Sequence, residues 1–182
     1  MTYTIISIII ISIIGTISHF LYDISNHNKF IGLFSAVNES TWEHIKIALT
    51  PTFFWCIIDG ILFGQNPNYF LAKLTSLVII IVLMPLLFYG YQLITKKDVV
   101  LFDILIFYIV IISSQLGFYF IINMSPIKYI YNYLSCLFIF LIFSGYLIHT
   151  TMPAKSFLFK DPITKKYGFK GHVEYNKDTN KR

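Results

Sequence analysis

Four runs of about twenty apolar residues and one shorter run, none alternating with period two, leave this chain few ways to fold. In hydrocarbon every backbone N–H and C=O must be paired within the protein, so runs of this kind form helices. The first covers about Thr2 to Tyr22. The second is legible only if a helix begun near Asn38 continues through Pro51 to Gly64, with neighbouring helices satisfying the carbonyl that the proline frees. The third starts at Tyr69 and contains Pro85, the fourth runs from about Val99 to Ile122, and the fifth from about Ile127 to Ile148. A mean hydropathy of +0.69 with 13% charged residues sets the chain apart from soluble domains. The expected fold class is therefore all-α, a polytopic transmembrane bundle of about five spans. The competing four-span arrangement makes residues 38–64 a re-entrant or interfacial helix.

Residues 1–149 read as one membrane domain and residues 150–182 as a basic tail. The first run lacks a basic flank and a small-residue cleavage site, so a retained span is expected there rather than a signal peptide. Cys56 and Cys136 both fall in apolar runs and suggest neither a disulfide nor a metal knuckle. Lysine and arginine favour cytoplasmic loops. Eight of the fourteen lie in the tail, and a five-span count with the tail inside puts Lys29, Lys46, Lys96 and Lys97 on the same side, against Lys73 and Lys128. The expected orientation is an amino terminus outside and a carboxyl terminus in the cytoplasm.

That topology gathers ionisable residues, which are costly within spans, at one depth. His19 and Asp23 end the first span, Glu39, Glu43 and His44 begin the second, Asp103 begins the fourth, and His149 ends the fifth. The stretch N-E-S-T-W-E-H, Asn38 to His44, also has a purely structural explanation. Asn38 can cap the helix, Ser40 and Glu43 offer a capping box, Val37 and Trp42 a hydrophobic staple, and Trp42 suits an interfacial belt. Glu43 and His44 exceed what capping needs. His19, His44 and His149 are candidate ligands for a divalent metal, with Glu39 as a further ligand or base and Asp23 and Asp103 orienting them. No H-x-x-x-H or H-E-x-x-H pair is present. His27, in a polar connection, reads as solvated.

Asp59 lies toward the opposite leaflet, where Gln115 is the expected partner, either as interhelical glue or as part of a solute or proton path. The tail segment F-L-F-K-D-P-I-T-K-K-Y-G-F-K-G-H alternates aromatics with lysines and suits contact with an anionic lipid surface. It matches no nucleic-acid-binding module. Membrane lipids are the expected partners, with a homo-oligomer or a membrane partner left open.

The block S-A-V-N-E-S-T-W-E-H-I-K-I-A-L-T-P, with S-H-F-L-Y-D before it and F-K-D-P-I-T-K-K-Y-G near the carboxyl end, resembles a domain-of-unknown-function family of small bacterial multi-pass membrane proteins. The resemblance spans nearly the whole chain and implies a bacterial cytoplasmic-membrane location, with no activity attached. The histidine, serine and aspartate content also resembles the intramembrane metal hydrolases that include alkaline ceramidases. The late H-x-x-x-H pair of that group is absent, since the fifth span offers only His149, and Ser18 adjoins His19 instead of lying a turn away. Three function classes follow: a metal- or acid/base-assisted enzyme for an amphipathic substrate, a transporter component, and an accessory protein.

Overall fold

The computed structural model describes residues 1–172. Five long helices cross-pack, each long and apolar enough to span a bilayer: α1 (Thr2–Ile24), α3 (Thr41–Phe63), α4 (Tyr69–Thr95), α5 (Val100–Ile122) and α6 (Tyr129–Thr151). A single-turn α2 (Lys29–Gly32) lies in the first connection, and two 3₁₀ turns, Phe157–Phe159 and Gly168–Gly171, follow α6. The expected spans are all present. Within the Asn38 to Gly64 stretch, a single helix of 23 residues, Thr41–Phe63, continues through Pro51.

Helix α1 is amphipathic with the usual sense reversed, as lipid demands. Along α1, the buried positions Thr4, Ser7, Ile11, Gly15, Ser18 and Tyr22 recur every three or four residues, whereas Ile5, Ile9, Ile13, Ile17 and Phe20 face outward. Small and hydroxylated residues predominate on its inner face because apolar side chains gain nothing by leaving lipid for protein, whereas close packing and hydrogen bonds do stabilise helix contacts. Ser76 of α4 and Ser114 of α5 are 2.7 Å apart, hydroxyl to hydroxyl. Tyr146 of α6 donates to the Leu33 carbonyl at 2.7 Å and lies 2.7 Å from the Thr50 hydroxyl of α3, tying the first connection to two spans.

Pro51 and Gly15 are coupled. A proline at position 51 leaves the Ile47 carbonyl without its intrahelical donor. That carbonyl lies against Gly15, where an added Cβ would sit 2.8 Å from the oxygen and 2.6 Å from Phe107 Cζ. The absence of a side chain lets α1 approach the broken turn of α3. Gly15→Val is expected to push α1 away and cost roughly 1–3 kcal/mol in an unfolding titration, typical of overpacking; a variant as stable as the parent would refute the coupling.

The capping details differ from expectation. The helix starts at Thr41, with Ser40 as the N-cap residue making no side-chain cap bond. Asn38 Oδ1 accepts from Ser40 N at 2.8 Å, closing a turn before the helix. Glu43, expected to complete a capping box, reaches the Val37 amide at 3.1 Å and the Lys46 ammonium at 2.6 Å. Lys46 donates to the Gly32 carbonyl at 2.9 Å and is fully buried. Lys73 is equally enclosed, in an ion pair with Asp59. Neither lysine is a loop charge, because each is neutralised inside the bundle.

Through residue 172 the tail packs back on the helix ends. Phe159 is buried against Trp42, their ring centroids 4.9 Å apart. Lys160 and Tyr167 form an isolated antiparallel bridge. Phe169 sits on Gly32, where an added Cβ would come within 2.5 Å of its ring. Asn38 Nδ2 donates to the Gly168 carbonyl at 2.8 Å. The five lysines of this cap, Lys155, Lys160, Lys165, Lys166 and Lys170, remain exposed. Lys177, Lys181 and Arg182 lie outside the described residues.

Candidate functional site

The end of the bundle where α1 stops and α3 starts carries a group of imidazoles and carboxylates. His19 occupies the penultimate turn of α1, and His44 the first turn of α3. Glu39 lies between them in the bend before α3. Its carboxylate Oε2 is 3.8 Å from His19 Nε2 and 3.7 Å from His44 Nε2, and the two imidazole rings are 5.8 Å apart. One ligand-capable atom of each residue lies within 4.8 Å of the others. His44 Nδ1 is buried, which leaves Nε2 as the nitrogen facing Glu39.

Glu39 is placed by the tail. Its backbone amide donates to Asp161 Oδ1 at 3.0 Å. Asp161 is itself buried, and its other oxygen accepts from the Ile163 amide at 3.1 Å and the Thr164 hydroxyl at 2.8 Å. The Asp161-Pro162 turn thus folds around a carboxylate that clamps residue 39 from more than a hundred positions away. The D-P dipeptide reads as a turn, but no local pattern shows that its carboxylate serves another segment.

Beside this group opens a cavity of about 450 Å³ between α1, α3 and α5. His19, Glu39, His44 and Asp103 supply its polar part, and Phe20, Ile47, Val100, Ile104 and Phe107 its apolar wall. Asp103, in the first turn of α5, accepts from the Tyr91 hydroxyl at 2.6 Å, which orients it. The Tyr91 oxygen in turn accepts from the Val99 amide at 3.3 Å.

The remaining expected site residues lie elsewhere. His149 stands apart from His19 and His44, its ring against Trp42 at 5.8 Å and Phe159 at 5.0 Å, so among the described residues the three histidines share no common point. Trp42 is a core residue under the tail. Glu43 is committed to Lys46 and Val37. Asp23 faces His27 and His172. Asp59 meets Lys73 and the Tyr3 hydroxyl instead of Gln115, which turns toward Ser76 at 3.5 Å and Ser114 at 3.4 Å. Lys73 offers Asp59 a full charge on the neighbouring helix.

The arrangement can hold a cation between two imidazoles and a carboxylate, or move a proton between Glu39 and either histidine. Comparison with curated proteins and with solved structures returns no match. Five apolar helices make this a multi-pass membrane protein. A match over residues 1–169, which takes in every residue of the cavity and the Asp161 clamp, shows that the chain belongs to the Family of unknown function (DUF6512).

Proposed function

We propose that His19, Glu39 and His44 bind a divalent metal ion and that the adjoining cavity presents an amphipathic substrate to it for hydrolysis. The observation that carries this reading is the convergence of three ligand-capable atoms within 4.8 Å at the polar mouth of a cavity whose wall is apolar. Bonds of about 2.0–2.1 Å in tetrahedral geometry place ligand atoms roughly 3.4 Å apart, so the carboxylate-to-imidazole separations need little adjustment. Two histidines and a glutamate form one of the donor sets that leave a metal position open for water, and the chemistry supplied is a hydroxide available near neutral pH. Asp103, oriented by Tyr91, is the residue proposed to take the proton of the attacking water and return it to the leaving group. The apolar wall would hold an acyl chain or another hydrophobic part of the substrate.

The distribution of basic residues supports a cytoplasmic placement of this end. With Lys46 and Lys73 set aside as buried ion-pair partners, every basic residue except Lys128 lies in the tail or in a connection at the Glu39 end. The proposed setting is a bacterial cytoplasmic membrane, with the amino terminus outside. A transport path through Asp59 is disfavoured by its ion pair with Lys73, which leaves no free charge to carry a solute.

Elemental analysis of tag-free protein in lipid nanodiscs tests the proposal. His19→Ala and His44→Ala are each expected to lower the zinc or iron content by about one equivalent, with at least a tenfold loss of affinity at this site; disrupting groups that only support a metal ligand already costs 10–100-fold. A metal content unchanged by both substitutions would refute the site. Hydrolysis of fluorogenic phospholipid or acyl esters that chelation abolishes and Asp103→Asn lowers would establish the reaction class.

A further inference from the structure

A second cluster joins the first connection to the tail. Asp23 lies in the last turn of α1, His27 four residues on, and His172 just beyond the second 3₁₀ turn. Asp23 Oδ1 is 2.8 Å from His172 Nε2 and 3.4 Å from His27 Nε2, and the two imidazole centroids are 4.5 Å apart. One ligand atom from each of the three lies within 4.8 Å of the others. Tyr22 packs its ring against both imidazoles, at 5.2 and 5.3 Å.

The backbone is shaped to bring His27 there. The His27 amide donates to the Tyr22 carbonyl and the Asn26 amide to the Asp23 carbonyl, the paired bonds of a Schellman ending, in which Asn26 takes the left-handed position at φ 52°. His27 follows at φ 60°, also left-handed, although the capping motif does not require it. A second consecutive non-glycine residue in that region is costly, and contacts made by its side chain must compensate.

We propose that Asp23, His27 and His172 form a binding site for a divalent cation of the zinc class, which staples the carboxyl-terminal cap to the first connection. Two imidazoles and one carboxylate are the donor chemistry that zinc prefers over calcium or magnesium. The side chains are 62, 35 and 13% exposed, so an ion reaches the site from water, and water completes its coordination. The cap that would be stapled carries Asp161, which holds the Glu39 amide, and the Gly168 carbonyl, which holds Asn38. Occupancy of the staple therefore sets how firmly residues 38 and 39 are clamped. The inference does not rest on the hydrolytic reading, because it concerns the cap itself.

Limited trypsin digestion of the tag-free full chain in nanodiscs, with and without zinc, provides the test. If only the docked cap binds the ion, zinc at ten times its Kd is expected to slow cleavage at Lys165 by about tenfold. His172→Gln keeps an N–H donor for Asp23 but gives a poor zinc ligand. It should cleave like the parent without zinc and gain no protection from it, and His27→Ala should also lose the protection. In a His19→Ala/His44→Ala background, one equivalent of zinc should remain, and adding His172→Gln should remove it. Protection that survives in both His172→Gln and His27→Ala, or the absence of bound zinc in the His19→Ala/His44→Ala background, would overturn the staple. Because that background lacks the other site, its result is separate from the fate of the hydrolytic reading.

Discussion

Lys73→Met is expected to destabilise the bundle by about 3–5 kcal/mol, the cost of leaving a buried charge without its partner. Lys73 is 1% exposed on α4, and its counter-ion Asp59 on α3 is fully buried. The Tyr3 hydroxyl of α1 donates to the other Asp59 oxygen. One carboxylate thus joins three helices at the end of the bundle away from the cavity. Removing the lysine strands the carboxylate in a low-dielectric interior, where no water replaces the lost charge. The double variant Asp59→Leu/Lys73→Met should recover most of the loss, since an apolar pair replaces two desolvated charges and only the Tyr3 hydroxyl is left over. Reversible unfolding in mixed micelles, followed by tryptophan fluorescence, gives the three values; a single variant within 1 kcal/mol of the parent would mean that the pair contributes little.

Glu43→Ala should be of similar or larger effect, about 3–5 kcal/mol, at the other end. Glu43 is 2% exposed, 2.6 Å from Lys46 Nζ, and accepts from the Val37 amide at 3.1 Å. Alanine removes both contacts and leaves the Lys46 ammonium with only the Gly32 carbonyl. Glu43→Gln keeps an acceptor for Val37 and loses only the charge, so it should be milder than alanine by about 1–3 kcal/mol, the cost of an unmet buried amide. Equal losses in the two variants would show that the Val37 bond contributes nothing. Val37 leads directly into Asn38 and Glu39, so the alanine variant should also weaken metal retention at His19 and His44, read by elemental analysis of the folded fraction.

Both residues illustrate which features are local. Glu43 and Lys46 are three apart on one helix, and their pairing was available from spacing alone, yet Lys46 reads more simply as a loop charge because lysine rarely lies fully enclosed. Lys73 reads as interfacial for the same reason, and spacing along the helices pairs Asp59 with Gln115. Depth along a helix is set by rise per residue, but the direction a side chain faces depends on which helix packs beside it. His149 shows the same distinction: it ends its span at the expected level, yet Phe159 and Trp42 enclose it.

The five spans were determined by the sequence alone, Pro51 and Pro85 included, because hydrogen-bond satisfaction in lipid is a demand that each segment must meet within itself. The meeting of His19 with Glu39 and His44, the clamp of Asp161 on Glu39, and the approach of His172 to Asp23 were decided only by the tertiary structure. Those contacts join segments up to 149 positions apart, and a side chain finds a distant partner only after helix packing has fixed which faces meet.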